Sequence, residues 1–230
     1  MRIDKLLAHA GYGTRNDVKK LLKSGVVTLN GQIIKSAKQQ VDENKDLIKV
    51  DQEEVVFTQN VYYMLNKPQG YVSATTDLLH PVVTDLIDDV HELFPVGRLD
   101  IDTEGLLLLT NDGQFAHHLT SPRHHIDKIY EAIIDQEIDD SDINAFKEGI
   151  ELEDFTCQSA DLKVIDADKN LVQVTIQEGK YHQVKRMFQS RGKEVLYLRR
   201  IQIGPLKLDS NLASGEYRLL TSTEINGLSK

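Results

Sequence analysis

The chain has 230 residues, and at roughly 150 residues per domain this length allows one large domain or two unequal ones. Hydrophobic residues make up 40% of the chain and charged residues 27%, values that exclude a disordered tail and a fibrous repeat. Cys157 is the only cysteine, which excludes an intrachain disulfide and every metal or redox motif built on cysteine pairs. The net charge of −9 argues at first sight against nucleic acid as a partner.

The charge is unevenly distributed along the chain. Residues 1–45 carry nine Lys or Arg against four acids, a net charge of +5, and residues 180–200 carry seven Lys or Arg against Glu194 alone, a net charge of +6. Such basic segments can hold phosphates while the acidic surface repels a polyanion elsewhere, although a solvated lysine face explains either segment alone. The net charge therefore does not exclude a nucleic-acid partner.

The beginning of the chain predicts two short helices and a β-hairpin. Apolar residues recur at helical spacing in the first segment, and Gly11 ends that helix. Thr14 and Asp17 form the pattern of an N-cap, which predicts a second helix as far as the Ser-Gly pair at 24–25. Asn30-Gly31 lies between two β-branched runs and is a strong signal for a two-residue hairpin turn.

The polar stretch from residue 42 to 60 lacks periodicity apart from the apolar run at 55–57. This pattern predicts a last strand followed by a linker. We therefore expect a domain over residues 1–45, a last strand and linker over 46–60, and a second domain over 61–230.

The second domain reads as strands with few intervening helices. We predict strands at 61–65, 106–110, 128–134, 161–166, 171–177 and 195–203, with a DADKN turn joining the fourth and fifth as a hairpin. Helices are predicted at 141–149, at 181–191 and behind the Thr221-x-x-Glu224 capping pattern. Consecutive strands favour an α+β fold with a mainly antiparallel sheet flanked by helices.

The stretch GRLDIDTEGLLLLTNDG at 97–113 puts Arg98 and Asp100 directly before a buried strand. A loop residue in this position can be held rigidly by the sheet behind it, so both residues are candidate site residues. The structural alternative is a local ion pair for Arg98 and a turn cap for Asp100. Acids at 100, 102 and 104 also match the opening of a calcium loop, but Asn111 stands where that loop needs a bidentate Glu, which argues against calcium.

Two adjacent histidine pairs, at 117–118 and 124–125, invite a metal interpretation. Neither pair has the spacing of a standard ligand motif, so we predict no metal. Arg123 precedes the second pair in the SPRHH segment, which predicts a phosphate-contacting loop, with a solvated loop as the alternative.

The stretch EGKYHQVKRMF at 178–188 joins a strand to a helix. Val184, Met187 and Phe188 form the buried stripe of that helix, so Lys185 and Arg186 flank it and can line a cleft. A snorkelling surface pair is the alternative for these two cations. The sequence has no dinucleotide fingerprint, P-loop or nucleophile elbow, and we predict no cofactor.

LNKPQGY (65–71), GRLDIDTEGLLLLTNDG, SPRHHIDKIY (121–130) and EGKYHQVKRMF, in this order and spacing, closely resemble the RsuA-type branch of the pseudouridine synthases. The resemblance covers residues 61–230. RIDKLL and TRNDVKKLLKSGVVTLNG in turn resemble the S4-type RNA-binding domain that this branch carries at its N-terminus. The resemblance implies isomerisation of a uridine in RNA to pseudouridine, without cofactor or metal.

The resemblance also implies three catalytic residues. The indispensable aspartate of the family maps onto Asp100, where a carboxylate can stabilise positive charge at the anomeric carbon, attack that carbon or take a proton from the neighbouring sugar carbon. The active-site tyrosine maps onto Tyr130, whose ring can stack on the detached uracil, with a core tyrosine as the alternative. The basic partner of the aspartate maps onto Lys185, with Arg186 as its rival.

The target uridine must be flipped out of its stack, at a cost that phosphate contacts must offset. The resemblance implies that Arg98 contacts the RNA beside the flipped nucleotide and can stack in the vacated space. The predicted RNA contacts are Arg98, Arg2, Lys5, Arg15, Lys19, Lys67, Arg123 and Arg186.

The implied partner is ribosomal RNA, in the form of 16S rRNA or a small-subunit assembly intermediate, with no membrane and no obligate protein partner. A uridine of 23S rRNA is the alternative within the class, and a non-catalytic rRNA-binding or assembly factor is the alternative from another class. Asp4 interrupts any signal core at the N-terminus and no apolar run could span a bilayer, so we expect a cytoplasmic protein.

Overall fold

The computed structural model describes residues 1–43, 45–55, 60–89 and 91–229, apart from the side chain of His9. The chain forms two compact units, Met1–Asn60 and Val61–Lys230. One hydrophobic cluster lies in the first unit and two lie in the second unit, among the residues that the structure describes. No helix among the described residues is long and apolar enough to cross a membrane.

The first unit contains two helices and a small sheet. Its elements are α1 (Ile3–His9), α2 (Arg15–Ser24), β1 (Val27–Leu29), β2 (Gln32–Ile33), β3 (Ile48–Val50) and β4 (Glu53–Glu54). The strands form an antiparallel sheet in the order β2-β1-β3-β4. Thr14 and Asp17 form a reciprocal capping box at the start of α2. Asn30 and Gly31 both have positive φ, as the predicted hairpin turn between β1 and β2 requires.

The polar stretch after the hairpin is more structured than its sequence indicates. β3 and β4 lie inside the segment that we predicted as a last strand and linker. Ile48 and Val50 of β3 are buried in the core of the first unit, and β4 pairs with β3. Two to three residues are too few for a visible period-two pattern. Residues 56 and 57, in the predicted last strand at 55–57, lie outside the described residues.

The second unit is built on a large mixed sheet. Its strands are β5 (Tyr62–Lys67), β6 (Phe94–Pro95), β7 (Glu104–Thr110), β8 (Lys128–Ile134), β9 (Asp161–Asp166), β10 (Leu171–Ile176), β11 (Val195–Ile203), β12 (Leu206–Lys207) and β13 (Tyr217–Leu219). Its helices are α3 (Gly113–Thr120), α4 (Asp140–Glu148), α5 (Gln183–Ser190) and α6 (Ser222–Leu228). The strand order is β13-β5-β7-β11-β8-β10-β9, with β6 beside β7 and β12 beside β11.

The predicted α+β class and the mainly antiparallel sheet are confirmed. Among the described strand pairs, β7 and β11 run parallel and the others run antiparallel. Helix α5 begins two residues later than predicted, because His182 has φ +48° and therefore lies outside the right-handed helix as its N-cap.

Apolar side chains cover both faces of the large sheet. Leu107 and Leu109 of β7 belong to one buried cluster, while Leu106 and Leu108 belong to another. A strand that is buried on both faces has an uninterrupted apolar sequence, which explains the four consecutive leucines. The segment directly before β7 is therefore anchored to a rigid support.

Candidate active site

The loop at residues 96–103, directly before β7, is fastened by buried polar groups. The Lys67 side chain at the end of β5 is fully buried, and its ammonium donates to the carbonyl oxygens of Pro68, Asp100, Ile101 and Thr103 at 3.0, 3.0, 3.3 and 2.9 Å. The Ser73 hydroxyl donates to the Leu99 carbonyl at 2.9 Å and accepts from the Leu99 amide at 3.0 Å. The backbone is thus held on both sides of the Asp100 side chain.

The prediction that Lys67 contacts RNA is wrong. Its ammonium is enclosed by carbonyl oxygens and is not exposed to solvent. Burial lowers the pKa of Lys67 to about 8, against the opposing pull of the acids at 102, 100 and 104. The sequence reading failed because a lysine that follows an apolar strand looks the same whether its head is exposed or enclosed.

The two aspartates of the loop share one lysine from α5. The Lys185 ammonium lies 2.5 Å from Oδ1 of Asp102 and 3.4 Å from Oδ2 of Asp100. Burial raises the pKa of the Asp102 carboxyl, but the hydrogen bond and the charge of Lys185 outweigh it and the pKa lies below its ordinary value. The sequence pointed to the contact with Asp100 and missed the shorter contact with Asp102.

A histidine also faces the Asp100 carboxylate. Nε2 of His182 lies 3.5 Å from Oδ1 of Asp100, and the imidazole stacks on Tyr181 with ring centroids 3.9 Å apart. The left-handed backbone of His182 turns the chain just before α5. Sequence reasoning missed this residue, and an adjacent aromatic-histidine pair before a helix gave only a weak signal for it.

Two adjoining cavities share Asp100 and Tyr130, and together we call them the Asp100 cleft. The smaller cavity, of about 60 Å³, is lined by Asp100, Tyr130 and Lys185, among others. The larger cavity, of about 530 Å³, extends past Tyr130 to Lys128 and Arg200. Tyr130 itself is 7% exposed. The three residues predicted as catalytic therefore line the smaller cavity together.

Among the charged residues that line the larger cavity, positive charges outnumber negative ones. Its charged residues are Arg98, Asp100, Lys128, Lys180 and Arg200, with His80 and His182 beside them. Arg98 is exposed, as a nucleic-acid contact would need. A chain with a net charge of −9 thus places four cations around one carboxylate in this cavity, which is an environment for an anionic ligand.

Sequence reasoning missed Lys128, Lys180 and Arg200. Lys128 and Tyr130 are two residues apart on β8, so their side chains share one face of the strand, and this spacing could have pointed to Lys128. Arg200 lies directly opposite Tyr130 across the pair of β8 and β11. That proximity depends on strand register, which the sequence alone did not supply.

Two other predicted RNA contacts lie away from the cleft lining. The Arg186 guanidinium pairs with the Asp154 carboxylate and lies over the Phe155 ring, so it is not a second partner of Asp100. Arg123 is exposed in a short 3-10 turn, Pro122–His124. His124 and His125, which follow it, line a different cavity of about 330 Å³ together with His118.

The basic residues of the first unit differ in their exposure to solvent and in their ion pairs. Arg2 forms a bidentate ion pair with the buried carboxylate of Asp4, at 2.7 and 3.0 Å. Lys5 is half-buried, whereas Arg15 and Lys19 are exposed on α2. The outward face of α2 therefore presents the more accessible of the predicted contacts.

Among the described residues, no three His, Cys, Asp or Glu side chains come together in a way that could hold a metal ion. The acids of the loop and the first residue of β7 already have partners, since Lys185 contacts Asp100 and Asp102 and the Glu104 carboxylate accepts from the Tyr197 hydroxyl at 2.7 Å. The chemistry available in the cleft is that of a carboxylate, a phenol and several cations.

Comparison with known proteins adds to this geometry. Residues 61–190 match the family model of RNA pseudouridylate synthase, and residues 1–47 match the S4 domain. The chain is 44% identical to the uncharacterized RNA pseudouridine synthase YtzG of Bacillus subtilis, over 100% of this chain and 99% of the relative. It is 41% identical to the ribosomal small subunit pseudouridine synthase A of Yersinia pestis, over 98% of this chain and 97% of the relative.

A solved structure gives the same result. The crystal structure of a pseudouridylate synthase aligns with a TM-score of 0.71 and 39% identity, over 99% of each chain. Sequence and fold thus agree over nearly the whole length. The chain belongs to the RNA pseudouridine synthases, in the RsuA-type branch that carries an N-terminal S4 domain.

Proposed function

We propose that this enzyme isomerises a uridine of small-subunit ribosomal RNA to pseudouridine, with Asp100 as the group that acts on the ribose. The observation that carries the proposal is the Asp100 cleft, in which one fixed carboxylate lies among cations. The rRNA target rests on the relatives named ribosomal small subunit pseudouridine synthase A, which match over nearly their full length.

The reaction breaks the bond from the anomeric carbon to uracil and rejoins the ring through its carbon five. The loop contacts of Lys67 and Ser73 support a fixed position for Asp100, and fixed charge is most effective where charge develops during the reaction. Positive charge develops at the anomeric carbon as uracil leaves, and a carboxylate there can stabilise it, attack the carbon or take a neighbouring proton.

Tyr130 and Lys185 would complete the site. The buried ring of Tyr130 offers a flat apolar surface for the detached uracil, and its hydroxyl can approach the proton that leaves carbon five. Lys185 would hold Asp100 and Asp102 in place through their shared ion pair. Arg98, exposed at the cavity, would contact the RNA beside the flipped nucleotide.

The first unit would bind folded RNA. Its S4 domain match and the exposed cations of α2 support this role. We further propose that the protein acts in the cytoplasm on rRNA or on an assembling small subunit, without an obligate protein partner.

The target is tested by mapping pseudouridines in 16S and 23S rRNA from cells with and without this chain. We expect one 16S uridine to remain unmodified in the cells that lack it, and restoration by the wild-type gene. Loss of a 23S pseudouridine would replace the target by its large-subunit alternative. Identical maps would support a binding factor that does not modify rRNA.

A further inference from the structure

Two cations that line the larger cavity of the Asp100 cleft have no acidic partner among the described residues. Arg200 is 3% exposed, and its Nε donates to the Leu106 carbonyl at 2.8 Å. Its Nη1 lies 3.5 Å from the Tyr130 hydroxyl, and its Nη2 is buried and has no hydrogen-bond partner in the described part of the chain. Lys128 donates to the carbonyls of Ile126 and Gln177 at 3.0 and 3.4 Å.

This arrangement is unfavourable for the free protein. In the described part of the chain neither cation forms a salt bridge, and both line the same cavity. Burial, together with the charge of Arg200, lowers the pKa of Lys128 to about 8, with a small opposing effect of Asp127. Packing two like charges into a partly desolvated recess costs stability unless an anion joins them.

RNA offers one permanent anion per nucleotide, its phosphate. The side chains of Lys128 and Tyr130 project from the same face of β8, about 7 Å apart along the strand. A nucleotide whose base lies on the Tyr130 ring and whose ribose meets Asp100 would bring a neighbouring phosphate toward this end of the larger cavity. A lysine ammonium suits such a contact, because it binds phosphate as a point charge.

We propose that Lys128, supported by Arg200, forms a phosphate subsite for the RNA linkage next to the reacting uridine. The inference rests on the proposed function. A phosphate carries its charge throughout binding, whereas uracil becomes anionic only while its bond to ribose is broken. The subsite would therefore stabilise the flipped nucleotide before chemistry begins and help to offset the cost of unstacking it.

The test uses short RNAs that contain the uridine modified by the wild-type protein. Each carries a single neutral methylphosphonate, placed at the linkage 5′ or 3′ of that uridine or at a remote position. Affinity and kcat/KM are measured for the wild type, Lys128→Met and the control Lys147→Met, whose lysine is exposed on α4 and lines neither cavity. Melting curves check that the variants are folded.

We expect Lys128→Met to lose about 10- to 100-fold in affinity, the range for a hydrogen bond to a charged group, and to lower the salt dependence by about one phosphate contact. One of the two flanking methylphosphonates should cost the wild type the same factor. Lys128→Met should lose nothing further on that RNA, because the contact is already absent. Lys147→Met should behave as the wild type.

Two results would overturn the subsite. In the first, the losses of affinity are additive: each flanking methylphosphonate weakens RNA binding by Lys128→Met by the same factor as it weakens binding by the wild type. The other is a wild type that tolerates both neutral linkages, a result that does not depend on the folding of any variant. Conversion of the unmodified RNA by the wild type tests the proposed function separately, and the affinity measurements test the subsite even if no conversion is seen.

Discussion

Three lysines near the loop at 96–103 show how surroundings decide the role of one residue type. Lys67 is enclosed by carbonyl oxygens and fastens the backbone. Lys128 is half-buried in the larger cavity and forms no salt bridge with any described residue, and Lys185 bridges two carboxylates. In the sequence, all three lysines follow or flank apolar residues. Only their contacts in the folded protein distinguish a lysine that positions other groups from one that contacts a ligand.

The role of Lys67 leads to a prediction about Lys67→Met. We expect turnover to fall at least about 10-fold, because the carbonyl of Asp100 loses its donor, while affinity for RNA and its salt dependence stay unchanged. Single-turnover rates and binding isotherms at several salt concentrations measure the two effects. A weaker, less salt-dependent affinity would restore the RNA contact that the burial of Lys67 argues against.

The lowered pKa of Lys67 predicts a pH dependence with a definite sign. Because the folded value of about 8 lies below the ordinary 10.5, the unfolded chain binds more protons between these pH values. The contribution of Lys67 to stability therefore rises with pH across this window, while the loop loses donors. We expect turnover to decline above about pH 8, as measured by a pH–rate profile. Deprotonation of Lys67 should not lower the free energy of unfolding over the same range, as measured by urea unfolding.

Sequence motifs identified much of the site but not its geometry. Asp100, Tyr130 and Lys185 line one small cavity, and their catalytic roles stay predictions. The Asp102 contact and the Arg200 position arise from pairing between distant segments, α5 against the loop and β11 against β8. Such contacts leave no local pattern in a single sequence.

At the scale of elements, prediction succeeded where the signal is local. The hairpin turn at Asn30-Gly31, the DADKN hairpin and the strands over 128–134 and 195–203 all follow from local chemistry. The strands β6, β12 and β13 were not predicted. Each has only two or three residues and is a strand because a longer neighbour pairs with it.

At Gly105 on β7, we expect even a small substitution to destabilise the fold strongly. Its φ is +98°, and a Cβ there would lie 2.2 Å from the backbone oxygen of Arg200, at the parallel pairing of β7 and β11. We expect Gly105→Ala to destabilise the fold by about 3 kcal/mol or more, since neither backbone can yield easily. Urea unfolding of purified protein measures the change.

Gly113 supplies the matched control. It is the first residue of α3, has no positive φ and has open space where a Cβ would lie. Gly113→Ala should leave stability unchanged or raise it by about 0.5–1 kcal/mol. If both substitutions changed the free energy of unfolding equally, the β7–β11 pairing would not depend on the close approach of Gly105 to the Arg200 backbone.

At the scale of the whole molecule, the fold concentrates positive charge at particular surfaces although the overall composition is acidic. The chain has a net charge of −9, yet the larger cavity has four cations around one acid. The first unit has cations at 15, 19 and 23, spaced by four residues along the exposed face of α2, while Val18 and Leu22 are buried on its other face. A basic surface on each of the two units fits a long polyanion better than a small anion.

The α2 surface leads to a prediction that separates binding from chemistry. Arg15→Ala with Lys19→Ala should weaken RNA affinity and lower the slope of log affinity against log salt by about 2, one per phosphate contact. Turnover at saturating RNA should not change. The control replaces Lys147 and Lys169, both exposed in the second unit. An unchanged affinity in the α2 variant would remove this surface from the RNA interface.

The most direct measurement compares Asp100→Asn with Asp102→Asn. Both acids contact Lys185 and both substitutions keep side-chain size, so they differ in which carboxylate is removed. Pseudouridine formed in rRNA from cells lacking the chain should fall about 10³-fold or more for Asp100→Asn and less than about 10-fold for Asp102→Asn. Full activity of Asp100→Asn, or the reverse order of the two variants, would contradict the assignment of Asp100 as the group that acts on the ribose.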